Sequence, residues 1–223
     1  VEAENRRISQ DILIPKGKAK RAKAGQVVMV NIIQQPSKQA QPIGQVVEGL
    51  GDYTAPGMEI EIALRKHDLP YEFSADVETH SNSLPRRVLK KEISERIDIR
   101  HLPLVTIDGE TARDFDDAVY CEQDGKGYKL YVAIADVSHY VRTKDVLDQS
   151  ARERGNSVYF PRRVIPMLPE ILSNGLCSLN PLRNRLCMVC EIRLKANGSF
   201  IDYRFYPAVM RSHARLTYTK VAA

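Results

Sequence analysis

Apolar residues in this 223-residue chain come in short runs, often alternating with polar ones, and this period restricts the fold most. Period-two alternation describes strands with one buried face. In the first part, DILIP from Asp11, QVVMVNII from Gln26 and IGQVVEGLG from Ile43 are separated by Gly, Pro and Lys turns, which predicts a small antiparallel β-barrel over residues 1–70. After Pro56-Gly57, MEIEIALRKHDLP reads as a strand and turn or as a short helix ending before Pro70; the helix is favoured. Residues 71–100 turn polar and charged and read as a linker. A helix is predicted in it after Pro85, from the spacing of Val88, Leu89, Glu92, Ile93 and Ile97.

Residues 101–223 form a more regular region. LPLVTID, AVYCE and YKLYVAIADVSHYV are strand-like, the last two joined by a QDGKG hairpin turn. Thr143 is the expected N-cap of a helix in KDVLDQSARER, with Asp145 near its positive end and Gly155 just past its last turn. SVYFP, a Pro-rich stretch and a short helical ILSNGL follow, then strands around LCMVCEIRL and FIDYRFYPAVM joined by KANGS. The expected fold class is α+β: a small antiparallel barrel followed by a mixed α+β domain with an antiparallel sheet.

Charge adds a weak pointer. Against 28 acidic residues stand 33 basic ones, giving +5, a modest excess compatible with a polyanionic partner. Lys16, Lys18, Lys20, Arg21 and Lys23 lie together without an intervening acid, either as a solvated basic loop or as a phosphate-attracting one. No stretch approaches the roughly 18 consecutive apolar residues of a membrane span, and the start lacks an apolar signal core, so a soluble cytoplasmic protein with no membrane partner is expected. Cys187-x-x-Cys190 has no second pair to complete a zinc site; with Cys121 and Cys177 these read as reduced core thiols.

The densest chemical signal is TIDGETARDFDDA, where Asp108, Asp114, Asp116 and Asp117 occupy ten positions with only Arg113 among them to offset the charge. Crowded carboxylates take up protons or hold a divalent cation, and an all-oxygen set suits magnesium, manganese or calcium. Asp108 ends one strand-like run and the other three precede the next, so a returning loop brings both groups together. In extended backbone Asp114 and Asp116 share a side while Asp117 faces away. An EF-hand is excluded, because the fifth position counted from Asp114 is Ala118. Aspartates serving only as turn formers and caps remain the alternative. A bound magnesium would suit attack of water on a phosphodiester.

TIDGETARDFDDAVY, YVAIADVSHYV, ARERGNSVYFP, VIPMLPEILSNGLCSLNP and SHARLTYTKV, in this order, resemble the catalytic domain of the ribonuclease II family from about Leu102 onward. DILIP, VMVNIIQQP and IGQVVEGLGD resemble the family's second cold-shock domain, a five-stranded OB barrel. The resemblance implies processive, hydrolytic 3′-to-5′ degradation of RNA to nucleoside 5′-monophosphates, with Mg2+, or alternatively Mn2+, held by Asp108, Asp114, Asp116 and Asp117. Asp116 matches the position most critical for cleavage, with Asp114 beside it, and Asp108 and Asp117 match direct metal ligands. Tyr159 matches a tyrosine that packs on the 3′-terminal base, and Tyr218 another RNA-contacting tyrosine. Read without the family, they are a core residue and a strand-edge side chain.

In the first domain Lys18, Lys20, Arg21 and Lys23 are the expected phosphate contacts, and only Tyr53 offers an aromatic face before Tyr71. The expected partner is single-stranded RNA, or RNA with a 3′ overhang, bound by a monomer. Arg162 and Arg163 either meet phosphates or cover the surface; His139 and His213 lack a nucleophile at a telling spacing. The family's nuclease domain continues beyond this chain, and the isolated chain is expected to have little or no activity. Two rival classes stay open: a non-catalytic single-stranded RNA-binding module, and a structural calcium or magnesium site in an interaction protein.

Overall fold

The computed structural model describes residues 1–5 and 7–223. They divide into two compact units, Val1–Leu69 and Pro70–Ala223. The chain is α+β, with strand pairing dominating both units.

In the first unit, β1 (Gln26–Gln34) and β2 (Ile43–Asp52) pair antiparallel with register shifts after Val27, Met29 and Ile32. Such irregularities bend and twist a two-stranded ribbon in the way a small barrel requires. A bridge from Leu13 to Ile43 lays the DILIP segment beside β2. Gly44 makes this possible: a Cβ there would run into the side chains of Val30 and Ile12. MEIEIALRK is helical, forming α1 (Met58–Lys66), with Met58 and Leu64 buried. Its acids Glu59 and Glu61 lie in the first turn and Arg65 and Lys66 in the last, both favourable to the helix dipole.

The second unit begins with residues that read as a linker but lie within its packing: Val77, Val88 and Ile99 belong to its core. Val77 lies on α2 (Ala75–Ser83), capped by the Ser74 hydroxyl, Val88 just before α3 (Lys90–Ser94), and Ile99 just after the short strand Ile97–Asp98. The seven strands that follow are ordered β11-β4-β5-β6-β9-β10-β3. They are β3 (Ile97–Asp98), β4 (Val105–Asp108), β5 (Asp117–Asp124), β6 (Gly127–Ala135), β9 (Asn184–Leu194), β10 (Phe200–Arg211) and β11 (Ala214–Thr217). The centre is antiparallel, as expected. Both edges are parallel, β11 along β4 and β3 along β10. These edge strands are short and pair with strands far away in sequence, so no hairpin pattern announced them.

One face of this sheet carries Tyr131, Ala133 and Ala135 of β6, Cys187 and Val189 of β9, and Tyr206 and Ala208 of β10, all buried. Leu147, Leu172, Leu176 and Leu179 belong to the same core. Leu147 lies in α5 (Val146–Arg154), and Leu172 and Leu176 in a π-helical turn (Ile171–Leu176).

Two local expectations change. The α5 N-cap is Asp145, whose carboxylate accepts from Asp148 N at 2.7 Å, rather than Thr143. A carboxylate at this place also meets the helix dipole directly. The run YKLYVAIADVSHYV stops being a strand at Ala135, because Asp136 is held by Arg96 and Ser138 and the chain turns into α4 (Val137–Tyr140). Gly155 closes α5 at φ 75°. Two of the four cysteines, Cys177 and Cys187, are core thiols pushed up to about 12 by burial; Cys190 is half-buried and Cys121 exposed, and all are free.

Candidate active site

β4 and β5 pair at Val105–Val119 alone, so the chain between Asp108 and Asp117 makes an open loop rather than a hairpin. Continuing that register sets Asp108 opposite Asp116. Between the flanking aspartates, Phe115 turns inward and is buried, which leaves Asp114 and Asp116 directed away from the core, as alternation along extended backbone requires.

Four residues distant in sequence pin this loop. The fully buried Ser178 hydroxyl accepts from Phe115 N at 3.0 Å and donates to Arg113 O at 3.0 Å. Leu179 N donates to Phe115 O at 2.8 Å, and Ala135 N to Asp116 O at 2.8 Å. Arg215 of β11 donates to the carbonyls of Gly109 and Glu110, at 3.1 and 2.6 Å, and its guanidinium lies 5.0 Å from the Phe115 ring centroid. None of Ser178, Ala135 or Arg215 was legible as a site residue, because their work is on backbone groups.

Two of the four carboxyls, those of Asp108 and Asp116, are raised. Burial, followed by Asp114, Asp117 and Asp108, raises the Asp116 carboxyl above the ordinary range, although its side chain stays open to solvent. Burial and then Asp117 raise Asp108; Arg215 opposes them, Asp114 adds to them, and the Thr106 hydroxyl opposes again. Two acids made reluctant to ionise by burial and by their neighbours form a donor set that a hard divalent cation would relieve. The residue types therefore fit such an ion. Among the described residues, however, no three His, Cys, Asp or Glu side chains converge at metal-ligand spacing, so the four aspartates share a field rather than a formed coordination shell.

Tyr159 reaches the same loop. It lies on β7 (Val158–Phe160), paired with β8 (Arg163–Ile165), and the Pro161-Arg162 turn with Arg162 at φ 70° has the pattern of a type II turn. Tyr159 is 64% exposed, which removes the core reading, and its hydroxyl donates to Asp114 Oδ2 at 2.7 Å. That bond, followed by burial, pushes the phenol up to about 12. Tyr218, 66% exposed, opens α6 (Tyr218–Ala222) instead of lying at a strand edge. It follows Thr217, the register partner of Asp108.

Other candidates within the second unit lie outside this grouping. His139 is engaged by Glu92 Oε1 at 2.6 Å and by Arg96 at 3.4 Å, a structural cluster. His213 is exposed, and Arg162 sits at the exposed tip of its turn. In the first unit Lys18, Lys20, Arg21 and Lys23 are all exposed; Lys18 donates to Gln45 Oε1 at 3.3 Å and Lys20 to Val47 O at 2.9 Å.

A seven-stranded mixed sheet carrying an acidic loop between β4 and β5, preceded by a small β-rich unit, defines the class. The RNB domain model matches residues 96–223 and the cold shock domain model residues 1–74, so the chain belongs to the RNB family. Ribonuclease R of Escherichia coli (strain K12) is 55% identical over 222 residues, which are 99% of this chain and 27% of that protein. The structure of Mycoplasma genitalium RNase R in complex with double-stranded RNA superposes with a TM-score of 0.90 at 32% identity, covering 97% of this chain and 39% of that one. The same enzyme with ribose-methylated single-stranded RNA gives 0.88 at 32% identity, covering 95% and 33%. The chain thus spans 27% of the Escherichia coli relative and 39% and 33% of the two solved chains. No helix among the described residues is long and apolar enough to cross a membrane.

Proposed function

We propose that this chain is part of a processive 3′-to-5′ exoribonuclease that hydrolyses RNA to nucleoside 5′-monophosphates, acting as a cytoplasmic monomer on single-stranded RNA or RNA with a 3′ overhang. The observation that carries the reading is the pinned acidic loop, where burial and the neighbouring carboxylates raise Asp108 and Asp116 and Tyr159 bonds to Asp114. Similarity to ribonuclease R, seen with RNA in the two solved complexes, supports the substrate class.

Asp108, Asp114, Asp116 and Asp117 would hold magnesium, or manganese, which when bound neutralises phosphate charge and acidifies water. The chain's own residues do the rest. Ser178 and Arg215 hold the loop backbone, so the carboxylates are presented from a fixed frame. Tyr159 and Tyr218 offer exposed rings on which bases can stack without reading sequence, a contact worth roughly 1–3 kcal/mol per base. Lys18, Lys20, Arg21 and Lys23 attract phosphates independently of sequence. Because the chain covers 27% of its Escherichia coli relative, turnover is assigned to the complete protein and little or none to this chain alone.

The test is Asp116→Asn in the complete protein, with products analysed on 3′-tailed and 3′-blocked RNA. Loss of hydrolysis with RNA binding kept, and monophosphates released by the unaltered protein only from open 3′ ends, are the expected results. Hydrolysis retained by the variant would remove the proposed centre. Binding by an unaltered protein that never turns RNA over would favour a non-catalytic RNA-binding module.

A further inference from the structure

Among the described residues, three buried polar atoms on neighbouring strands have no partner at hydrogen-bond distance, Thr106 Oγ1, Asp108 Oδ2 and Arg215 Nε, although the Thr106 hydroxyl lies near enough to the Asp108 carboxyl to draw its pKa down. They are not scattered. Thr106 and Asp108 are two residues apart on β4 and so share a face, and Arg215 is the register partner of Thr106 on the parallel strand β11. Thr106 is fully buried. The set is chemically complementary: the hydroxyl and the guanidinium Nε–H are donors, and the carboxylate oxygen is an acceptor. Buried polar groups of this kind are satisfied by a small side-chain rotation or by one bridging water. Arg215 Nη2 is already committed to the carbonyls of Gly109 and Glu110, immediately after Asp108. One planar side chain therefore spans both the loop backbone and the neighbourhood of its first carboxylate.

We propose that Arg215 and Thr106 are positioning residues for the acidic centre, holding Asp108 Oδ2 within the sheet so that the other oxygen, Oδ1, is the one offered to a cation. The assignment rests on the exoribonuclease reading and deepens it. Arg215 supplies what Lys could not, a rigid fork that addresses two carbonyls and a third acceptor at once. Groups that orient a metal-binding carboxylate in this way alter metal affinity by about 10- to 100-fold when removed.

The experiment uses the complete protein with Thr106→Val, Thr106→Ser and Arg215→Lys. Mn2+ binding is measured by calorimetry without RNA, and RNA affinity is measured separately in EDTA. Thr106→Val and Arg215→Lys are expected to weaken Mn2+ binding about tenfold. Thr106→Ser, which keeps the hydroxyl, should restore it to within about twofold. Because both residues act on one carboxylate, the double variant should lose less than the product of the single losses. RNA affinity in EDTA should stay within about twofold throughout, as positioning of a metal-binding carboxylate requires. Unchanged Mn2+ affinity in Thr106→Val overturns the proposal. So does an equal loss from Val and Ser, which would indicate packing alone, or a fall in RNA affinity matching the loss of Mn2+. An unaltered protein that neither binds Mn2+ nor hydrolyses RNA would instead sink the underlying reading, so the two failures are distinguishable.

Discussion

The Tyr159 hydroxyl donates to Asp114 Oδ2 at 2.7 Å, joining an exposed aromatic ring to the acidic loop from 45 positions away. The bond separates two tasks of one side chain. Tyr159→Phe removes the hydrogen bond and keeps the stacking face; Tyr159→Ala removes both. In the complete protein, Phe should leave the Kd for 3′-tailed RNA in EDTA within about twofold, while Ala should raise it by about 5- to 150-fold, the equivalent of roughly 1–3 kcal/mol. Equal losses from Phe and Ala would place the contribution in the hydroxyl rather than the ring.

Ser178 is a second point at which the loop depends on one distant atom. Its hydroxyl satisfies Phe115 N and Arg113 O together, in a place without solvent access. Ser178→Ala leaves a buried amide and a partly buried carbonyl unpaired, at a cost of about 2 kcal/mol. For a unit of this size the melting temperature should fall by roughly 4–8 °C. Differential scanning calorimetry in EDTA reads this directly, and an unchanged Tm would mean that the loop finds other partners.

The four aspartates were legible because they are close in sequence and their shared charge is itself the signal. Their partners were not. Arg215 is 105 positions from Glu110 and Ser178 is 63 from Phe115, and both serve backbone groups that no side-chain motif announces. The central strands declared themselves by alternation and the QDGKG turn. The edge strands β3 and β11, of two and four residues, are too short to show a period. Thr143 and Asp145 are both good N-cap types, and only the position of Asp148 N decides between them. The stretch 71–100 looked polar because its inward residues, Val77, Val88 and Ile99, are widely spaced.

Arg96 and Asp136 form a buried ion pair at 2.5 Å, with side chains 10% and 6% exposed. Burial alone would raise the Asp136 carboxyl. Hydrogen bonds from Ser138 and Arg96, with the Arg96 charge, outweigh it and hold the group below the ordinary value of 3.8. A lowered folded-state pKa contributes stability above the unfolded value, and that stability is lost as pH falls through the folded one. Asp136→Asn should therefore destabilise at neutral pH, by about 3–5 kcal/mol because it strands a buried guanidinium. The deficit should shrink below about pH 4. Urea midpoints from pH 7 to pH 3 measure it; a deficit constant across that range would assign the loss to packing.

Asp116 has the opposite sign. Its folded-state carboxyl is raised, by burial and by Asp114, Asp117 and Asp108, so its ionisation at neutral pH opposes folding. Asp116→Asn should raise Tm in EDTA, by about 2 °C given the exposure of the side chain. With saturating magnesium the order should reverse, because a cation bound by the unaltered protein stabilises it by mass action. A variant less stable in EDTA would show that the negative charge is structurally required.

The basic residues of the first unit should not contribute equally to RNA binding. Lys18 and Lys20 already donate to Gln45 Oε1 and Val47 O, so reaching a phosphate means surrendering a bond. Among the described residues no side-chain bond occupies Arg21 or Lys23, and both are exposed. Each phosphate contact with a single strand contributes about 0.7 to the slope of log K against log salt. Arg21→Gln and Lys23→Gln should each lower that slope by about 0.7, whatever the RNA sequence, whereas Lys18→Gln and Lys20→Gln should lower it by less. Titrations of the complete protein on homopolymeric and mixed RNA over several salt concentrations give the slopes. If Lys18 and Lys20 carry the larger effect, their bonds to β2 open on binding, and the resting geometry does not set the order.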